Sequence, residues 1–275
     1  MNLDAYFARI GYSGARVPTL DTLRAVQLAH VQSIAFENLS PLMGVSVPLD
    51  LPSLEEKLVR SGRGGYCFEQ NALFAAAVRE LGFEVTGLAA RVVWGRPEDE
   101  DVVRMRSHML LKVDVEGASY LADVGFGGQT PTGPLRLTPD IEQETPHEPY
   151  RLVTVDGSSE ELKLQSLIGG EWKSLYRFDF QPQYAPDYEV ANYYIATHPS
   201  SPFRAGLRLA LPFPGGRYGL ANTQLSVHRL GGTTERRTLG SVAEVREVLE
   251  SVFGLALPSS AELDPVLART GGFAP

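Results

Sequence analysis

A chain of 275 residues with 43% hydrophobic content is long enough to bury a substantial core, as one large domain or as two to three smaller ones sharing an interior. With 33 acidic against 25 basic residues the formal charge is −8, and no Lys/Arg cluster forms a track for phosphate backbones, so no nucleic-acid partner is expected. The single cysteine, Cys67, excludes an intramolecular disulfide and leaves too few thiolates for a structural zinc or iron–sulfur site; no metal is expected, and a reducing, cytoplasmic setting is.

The opening MNLDAYFARIGY places Leu3, Tyr6, Phe7 and Ile10 on one helical stripe. It has no basic segment followed by a continuous apolar run, so it reads as an amphipathic helix, and no segment of the chain reads as a membrane span. Thr19 is placed to cap a second helix with Leu23, Val26 and His30 on one face. Ser53 to Glu56, SLEE, has the pattern of a capping box opening a third. A fourth helix runs from about Cys67 through NALFAAAVRELGF, with Gly82 as its terminator.

From Glu84 the texture changes to short β-branched segments separated by turns: EVTGLAARVVW, SHMLLKVDV, SYLADV, YRLVTVDG and ELKLQSL. These predict an antiparallel sheet or small barrel to about residue 190. The remainder is mixed, with Pro-rich loops at THPSSPF and LPFPGG, further strands in YGLANTQLSVHRL, and a helix near SVAEVREVLESVFG.

Residues 63–71 read RGGYCFEQN. Gly64 and Gly65 permit tight, positive-φ geometry, and good helix formers follow, which puts Cys67 in the first turn of its helix. Unpaired N–H groups and the helix dipole there favour a thiolate. A lone cysteine is more commonly a small buried hydrophobe, so Cys67 needs a partner to be read as a nucleophile.

Of the five histidines, His30 continues an apolar stripe and reads as a core residue, while His147 lies in a Pro- and Glu-rich loop and reads as solvent-facing. His108 differs. In SHMLLKVDVEGASYLADV two strands flank a turn at Glu116-Gly117, and the hairpin pairs residues whose numbers sum to about 233, so that Leu110 faces Asp123. His108 and Leu110 then share one strand face with Asp123, and Met109, Leu111, Val113 and Val115 take the other. The diagonal His108–Asp123 pair would lie roughly 5–8 Å apart at Cβ, within reach of an imidazole–carboxylate hydrogen bond. Thiol, imidazole and carboxylate would together form a nucleophile, its base and the base's orienter.

DVGFGGQTPTGPL follows the Asp-bearing strand directly. Gly127, Gly128 and Thr130 could form a backbone nest for an anion or the phosphates of a nucleotide-like cofactor, or equally a plain turn. The segment has neither a Walker ending nor the βαβ setting of a Rossmann turn.

RGGYCFEQN, the upstream AFENL at 35–39, SHMLLKV around His108, DVGFGG at 123–128 and NYYIATHPSSPF at 192–203 together resemble the arylamine N-acetyltransferase family. The resemblance implies an α+β fold in three parts: an N-terminal helical bundle (1–83), a central antiparallel β-barrel (84–190) and a C-terminal α/β lid (191–275), with a cysteine-protease-like core. It implies a Cys67–His108–Asp123 triad, acetyl-CoA as acyl donor, release of coenzyme A, and an aromatic amine or hydrazine as acceptor. Phe36, Phe68, Phe126 and Phe203 lie in the family-like segments and are candidates to line an apolar acceptor pocket. Three other readings use the same residues: a cysteine hydrolase of the papain or transglutaminase kind, an amide synthase of the same fold with a carrier-bound donor, and a catalytically silent binding protein. RGGYCFEQN lacks the papain-like CGSCW signature, and the intact Cys67, His108 and Asp123 argue against silence. The oligomeric state is not encoded in any feature of the sequence.

Overall fold

The computed structural model describes residues 1–97, 103–155 and 160–273; Asp156 and Gly157, the end of the strand segment expected at YRLVTVDG, lie outside them. Five helices and one short strand come first: α1 (Leu3–Ile10), α2 (Leu20–Ser33), β1 (Phe36–Glu37), α3 (Leu39–Met43), α4 (Leu51–Leu54, running on as a wider π-type turn to Arg60) and α5 (Cys67–Glu80). The α1 stripe buries Tyr6, Phe7 and Ile10, and Thr19 caps α2 through its side chain. The cap of α4 is not Ser53. Asp50 Oδ1 takes the Ser53 N–H instead, because Pro52 fits only the first turn and moves the start three residues upstream. α5 begins at Cys67 and ends before Gly82, whose φ of +91° stops the helix.

The next strands are β2 (Glu84–Val92), β3 (His108–Val115), β4 (Ala118–Ala122), β5 (Leu135–Arg136), β6 (Glu142–Gln143), β7 (Tyr150–Thr154), β8 (Glu161–Ile168) and β9 (Glu171–Asp179). They form an antiparallel, nearly closed barrel in the order β5-β4-β3-β2-β9-β8-β7-β6. The β3–β4 hairpin turns at Glu116 and Gly117, both in the left-handed region (φ 52° and 74°), and pairs Leu111 with Ala122 and Val113 with Tyr120, the register expected. Its two faces diverge as alternation requires. Met109, Leu111, Val113 and Val115 pack with α5 in the first core, whereas Leu110 joins the barrel interior with Leu88, Leu164, Tyr176 and Phe178.

The last third contains two long helices that the sequence does not announce, α6 (Ala185–Thr197) and, near the end, α9 (Ser260–Gly271), and one short one in the expected THPSSPF loop. Val190, Tyr193 and Tyr194 put apolar side chains on the exposed side of α6 as well, and Pro265 interrupts the helical pattern of α9; both long helices are held by tertiary contacts: Asn192 of α6 donates to Val47 O at 2.7 Å, and Leu263 and Leu267 of α9 enter a separate core. Between them lie α7 (Pro202–Ala205), β10 (Arg208–Phe213), β11 (Gly216–Ala221), β12 (Gln224–Arg229), β13 (Thr234–Thr238) and α8 (Val242–Ser251). LPFPGG is thus only partly a loop, since Leu211 to Phe213 complete β10. The five-stranded sheet is ordered β1-β10-β11-β12-β13, so residues 36–37 near the start of the chain form one edge of the C-terminal sheet. One face of this sheet, with Leu209, Leu220 and Leu225, packs on α8 and α9; the other faces a cleft.

Among the described residues, no helix is long and apolar enough to cross a membrane.

Candidate active site

Cys67 is the first residue of α5 and is 3% exposed. Its sulfur lies 3.7 Å from the Ser107 carbonyl oxygen and interacts with the side chain of His108, the first residue of β3. His108 Nε2 is 2.7 Å from Asp123 Oδ2, which leaves Nδ1 as the ring nitrogen available to the sulfur. Burial alone would lower the imidazole pKa, but the Asp123 charge and hydrogen bond, reinforced by Cys67, push it up to about 10. Burial likewise opposes ionisation of Asp123. His108, Asn71 and the Gly125 N–H outweigh it and hold the carboxyl below its ordinary range. The structure brings together the three side chains singled out in the sequence, with His108 held toward its charged form and Asp123 toward its own.

The residues between the motifs explain why this corner holds its shape. Asn71, one turn along α5 from Cys67, donates from Nδ2 to Asp123 Oδ1 (3.0 Å) and Met109 O (2.7 Å), and its Oδ1 accepts from Val124 N–H (3.0 Å). One amide thus ties the helix to both strand ends that carry His108 and Asp123. Tyr176, on β9, donates its hydroxyl to Asp123 Oδ2 at 2.9 Å, and its ring lies 5.0 Å from those of His108 and Phe126. Gln70 donates to Ala35 O (2.9 Å) and accepts from buried His30 Nε2 (2.7 Å), whose Nδ1 meets Tyr6 Oη (2.7 Å). Burial drops His30 to about 4, so it is a neutral strut within the core, as its stripe position indicates.

RGG and AFEN are likewise coupled. Glu37 N–H donates to Gly65 O, Gly65 N–H to Ala35 O, and Arg63 pairs with Glu37 at 2.7 Å. Neither Gly64 nor Gly65 has positive φ, contrary to expectation. Glycine is needed for proximity: a Cβ on Gly64 would stand 2.2 Å from Ala35 O, and one on Gly65 would stand 2.7 Å from Glu69 Oε2. Glu69 itself accepts from Tyr66 N–H and from Lys57, fixing the first turn of α5. Asn38 donates to the Phe203 and Gly206 carbonyls, both at 2.8 Å, joining AFENL to the PSSPF segment.

The sulfur opens into a cleft of about 640 Å³ between the barrel and the five-stranded sheet. Phe36, Phe126 and Phe203 line it as predicted, with the Phe36 and Phe203 rings 6.0 Å apart. Phe68 does not. It follows Cys67 by one residue, so the helix turns it about 100° away, into the core beside Tyr66 and Tyr188. Gly127 and Gly128 line the cleft in a 3₁₀ turn, Gly127–Gln129. Thr130 does not reach it: its N–H closes the turn onto Gly127 O and its carbonyl accepts from Arg217 Nη1 at 3.0 Å, so it cannot serve in a nest. Val92, the last residue of β2, and Trp94 just beyond it also line the cleft and carry no local signal.

His147 is buried, not solvent-facing. Nδ1 meets Thr132 Oγ1 at 3.1 Å, and Nε2 donates to Phe213 O and Gly216 O at 2.9 and 3.0 Å, so the ring joins a barrel loop to the β10–β11 turn. Burial lowers its pKa, with Arg217 adding to the effect. Arg217 is 2% exposed and forms a charge pair with Glu148 at 2.6 Å. Among the described residues, no group of three or more His, Cys, Asp or Glu side chains is arranged to hold a metal ion.

A family model described as N-acetyltransferase matches residues 19–262. The arylamine N-acetyltransferase of Mycobacterium tuberculosis is 44% identical, with 99% of this chain and 98% of that protein aligned. The chain belongs to the arylamine N-acetyltransferase family. It is accordingly an acyltransferase. The family's Escherichia coli member is 43% identical over 93% of this chain and 89% of its own. The Mycobacterium marinum enzyme superimposes with a TM-score of 0.93 at 41% identity, covering 98% of this chain and 99% of that one. Its complex with CoA gives 0.92 at the same identity and coverage.

Proposed function

We propose that the protein moves an acetyl group from acetyl-CoA through Cys67 to an arylamine or arylhydrazine. The observation that carries this is the buried Cys67–His108–Asp123 constellation opening into an aromatic-lined cleft, in a family whose M. marinum member binds CoA. The Cys67 thiolate attacks the thioester carbonyl, forming a new S–C bond; the bond to coenzyme A breaks, and the departing thiolate takes the proton of the His108 imidazolium. The acceptor nitrogen then attacks the acetyl-cysteine, His108 takes the amine proton, and the Cys67 thiolate and imidazolium are restored. Exchange of one thioester for another is nearly balanced in energy, which suits a thiol. Asp123 fixes the ring orientation and supports its charge. In this reading segment 1–83 supplies the nucleophile, 84–190 the base and orienter, and 191–275 one wall of the cleft. The donor's arm runs along Gly127 and Gly128, and Phe36, Phe126 and Phe203 receive the acceptor ring.

The test is intact-mass spectrometry after mixing with acetyl-CoA, then with a panel of arylamines. One acetyl adduct mapping to Cys67, absent in Cys67→Ala and discharged by arylamine, is the expected result. An unmodified wild-type protein under these conditions overturns the assignment. An adduct formed only from a carrier-bound donor would indicate an amide synthase, and discharge only to water a hydrolase.

A further inference from the structure

Four glycines facing the cleft divide into two kinds. Gly125 and Gly127 are dictated by structure: a Cβ on Gly125 would stand 2.7 Å from Cys67 Cα, and Gly127 has φ +79° with the Phe36 ring 3.4 Å from where its Cβ would lie. Gly128 and Gly219 are not. Neither has positive φ, and no heavy atom lies within 4 Å of a Cβ on either. Gly219 is the more telling, because it sits in the middle of β11, where glycine costs roughly 0.5–1 kcal/mol relative to alanine and neither backbone conformation nor packing requires it. An interior strand glycine without such a cause marks close approach by another group.

The register shows what that space looks like. Phe36 of β1 pairs with Ala210 of β10, and Ala210 pairs with Gly219 of β11, so all three project from the cleft-facing side of the sheet. The backbone polar groups of β11 are engaged in ladders with β10 and β12. Ala210 and Gly219 therefore offer a flat, nearly side-chain-free tile of peptide surface, bordered by the Phe36 ring across the strands and by Arg208 and Arg217 along them, and this tile complements the face of an aromatic ring. The turn carrying Gly128 packs against β10 and β11 and continues the same open wall.

We propose that Gly219, with Ala210, determines acceptor specificity: the tile holds a second ring beyond the one seated among the phenylalanines, so that the enzyme favours extended arylamines over single-ring ones. This rests on the acetyltransferase reading above.

The test compares aniline with 4-aminobiphenyl, which adds one ring para to the same nitrogen, in wild type and Gly219→Val, with p-nitrophenyl acetate as donor. Valine suits a strand, and a melting curve checks the fold. The expected result is a wild-type kcat/KM preference for 4-aminobiphenyl that falls about tenfold or more in Gly219→Val, the scale of a crowded apolar subsite. Gly219→Ala should give a smaller shift in the same direction. A selectivity ratio that Gly219→Val leaves unchanged overturns the inference, as does an unchanged ratio with a raised KM for acetyl-CoA, which would assign the tile to the donor. A wild type that acetylates aniline but not 4-aminobiphenyl sinks this inference alone, whereas one that acetylates neither amine brings down the proposed function itself.

Discussion

Asp123 accepts hydrogen bonds from His108, Tyr176, Asn71 and the Gly125 N–H, and it has no exposed surface. Gly219, on the wall formed by the second sheet, has nothing within 4 Å of where a side chain would begin. The first region is saturated: each donor has an acceptor, and a substitution leaves a buried group unpaired. The second is deliberately sparse, and a substitution there removes space. A group that must hold a proton in one geometry needs redundant partners, while a surface that receives different acceptors needs few. The same contrast separates sites where substitution should abolish catalysis from sites where it should alter selectivity.

The comparison is broken most severely at its saturated end. Asp123→Asn should cut kcat/KM by roughly 10⁴-fold, because the imidazole loses both its preferred tautomer and its charge partner. The four hydrogen bonds add a structural cost: an amide NH₂ at this site must face at least one other donor, so the melting temperature should fall as well. Circular dichroism must therefore accompany the kinetics. A folded Asp123→Asn protein with near-wild-type activity would remove Asp123 from the proposed triad.

A smaller effect should appear in the pH dependence of stability. His108 is pushed up to about 10 from an ordinary value of about 6.5, so its charged form stabilises the fold fully below about pH 6.5 and that contribution disappears as pH rises through about 10. Asp123 has the opposite sign. Its lowered pKa contributes above its ordinary value of about 3.9 and is lost as pH falls further. The pair is thus worth most between about pH 4 and 6.5. Wild type should lose several degrees of melting temperature between pH 6.5 and 10.5, and His108→Gln should lose less over the same range. Parallel curves for the two proteins would show that the imidazolium does not support the fold.

The smallest effect belongs to the sparse wall. A Cβ at Gly128 would meet no atom within 4 Å and there is no positive-φ strain, so the fold should hold in Gly128→Val. Its KM for acetyl-CoA should rise several-fold and inhibition by free coenzyme A should weaken, while discharge of enzyme already acetylated by p-nitrophenyl acetate changes much less. Equal losses in both half-reactions would give the turn a supporting role for the triad instead.

The features legible in the sequence were those governed by short-range geometry. A glycine pair followed by helix formers located Cys67 at a helix start, and a two-residue turn set the strand register that brought His108 beside Asp123. Even the chemistry of RGGYCFEQN was only partly visible: the thiol stood out, but Gln70 and Asn71 acquired their roles as struts only when the helix met Ala35 and Asp123. Phe68 and His147 were misread because burial is not written in the neighbouring residues. The direction in which a helix presents a ring, or the partner that covers a loop, depends on what packs there. Tyr176 lies 53 residues from Asp123 and Gly219 lies on a sheet whose edge is residues 36–37, so no local pattern could mark either one. The sequence by itself determined the reactive groups and the local elements that hold them, because backbone propensity and turn chemistry act over a few residues. Tertiary structure alone decided which carboxylate oxygen each donor reached and where the cleft was left open, because those follow from contacts between segments far apart in the chain.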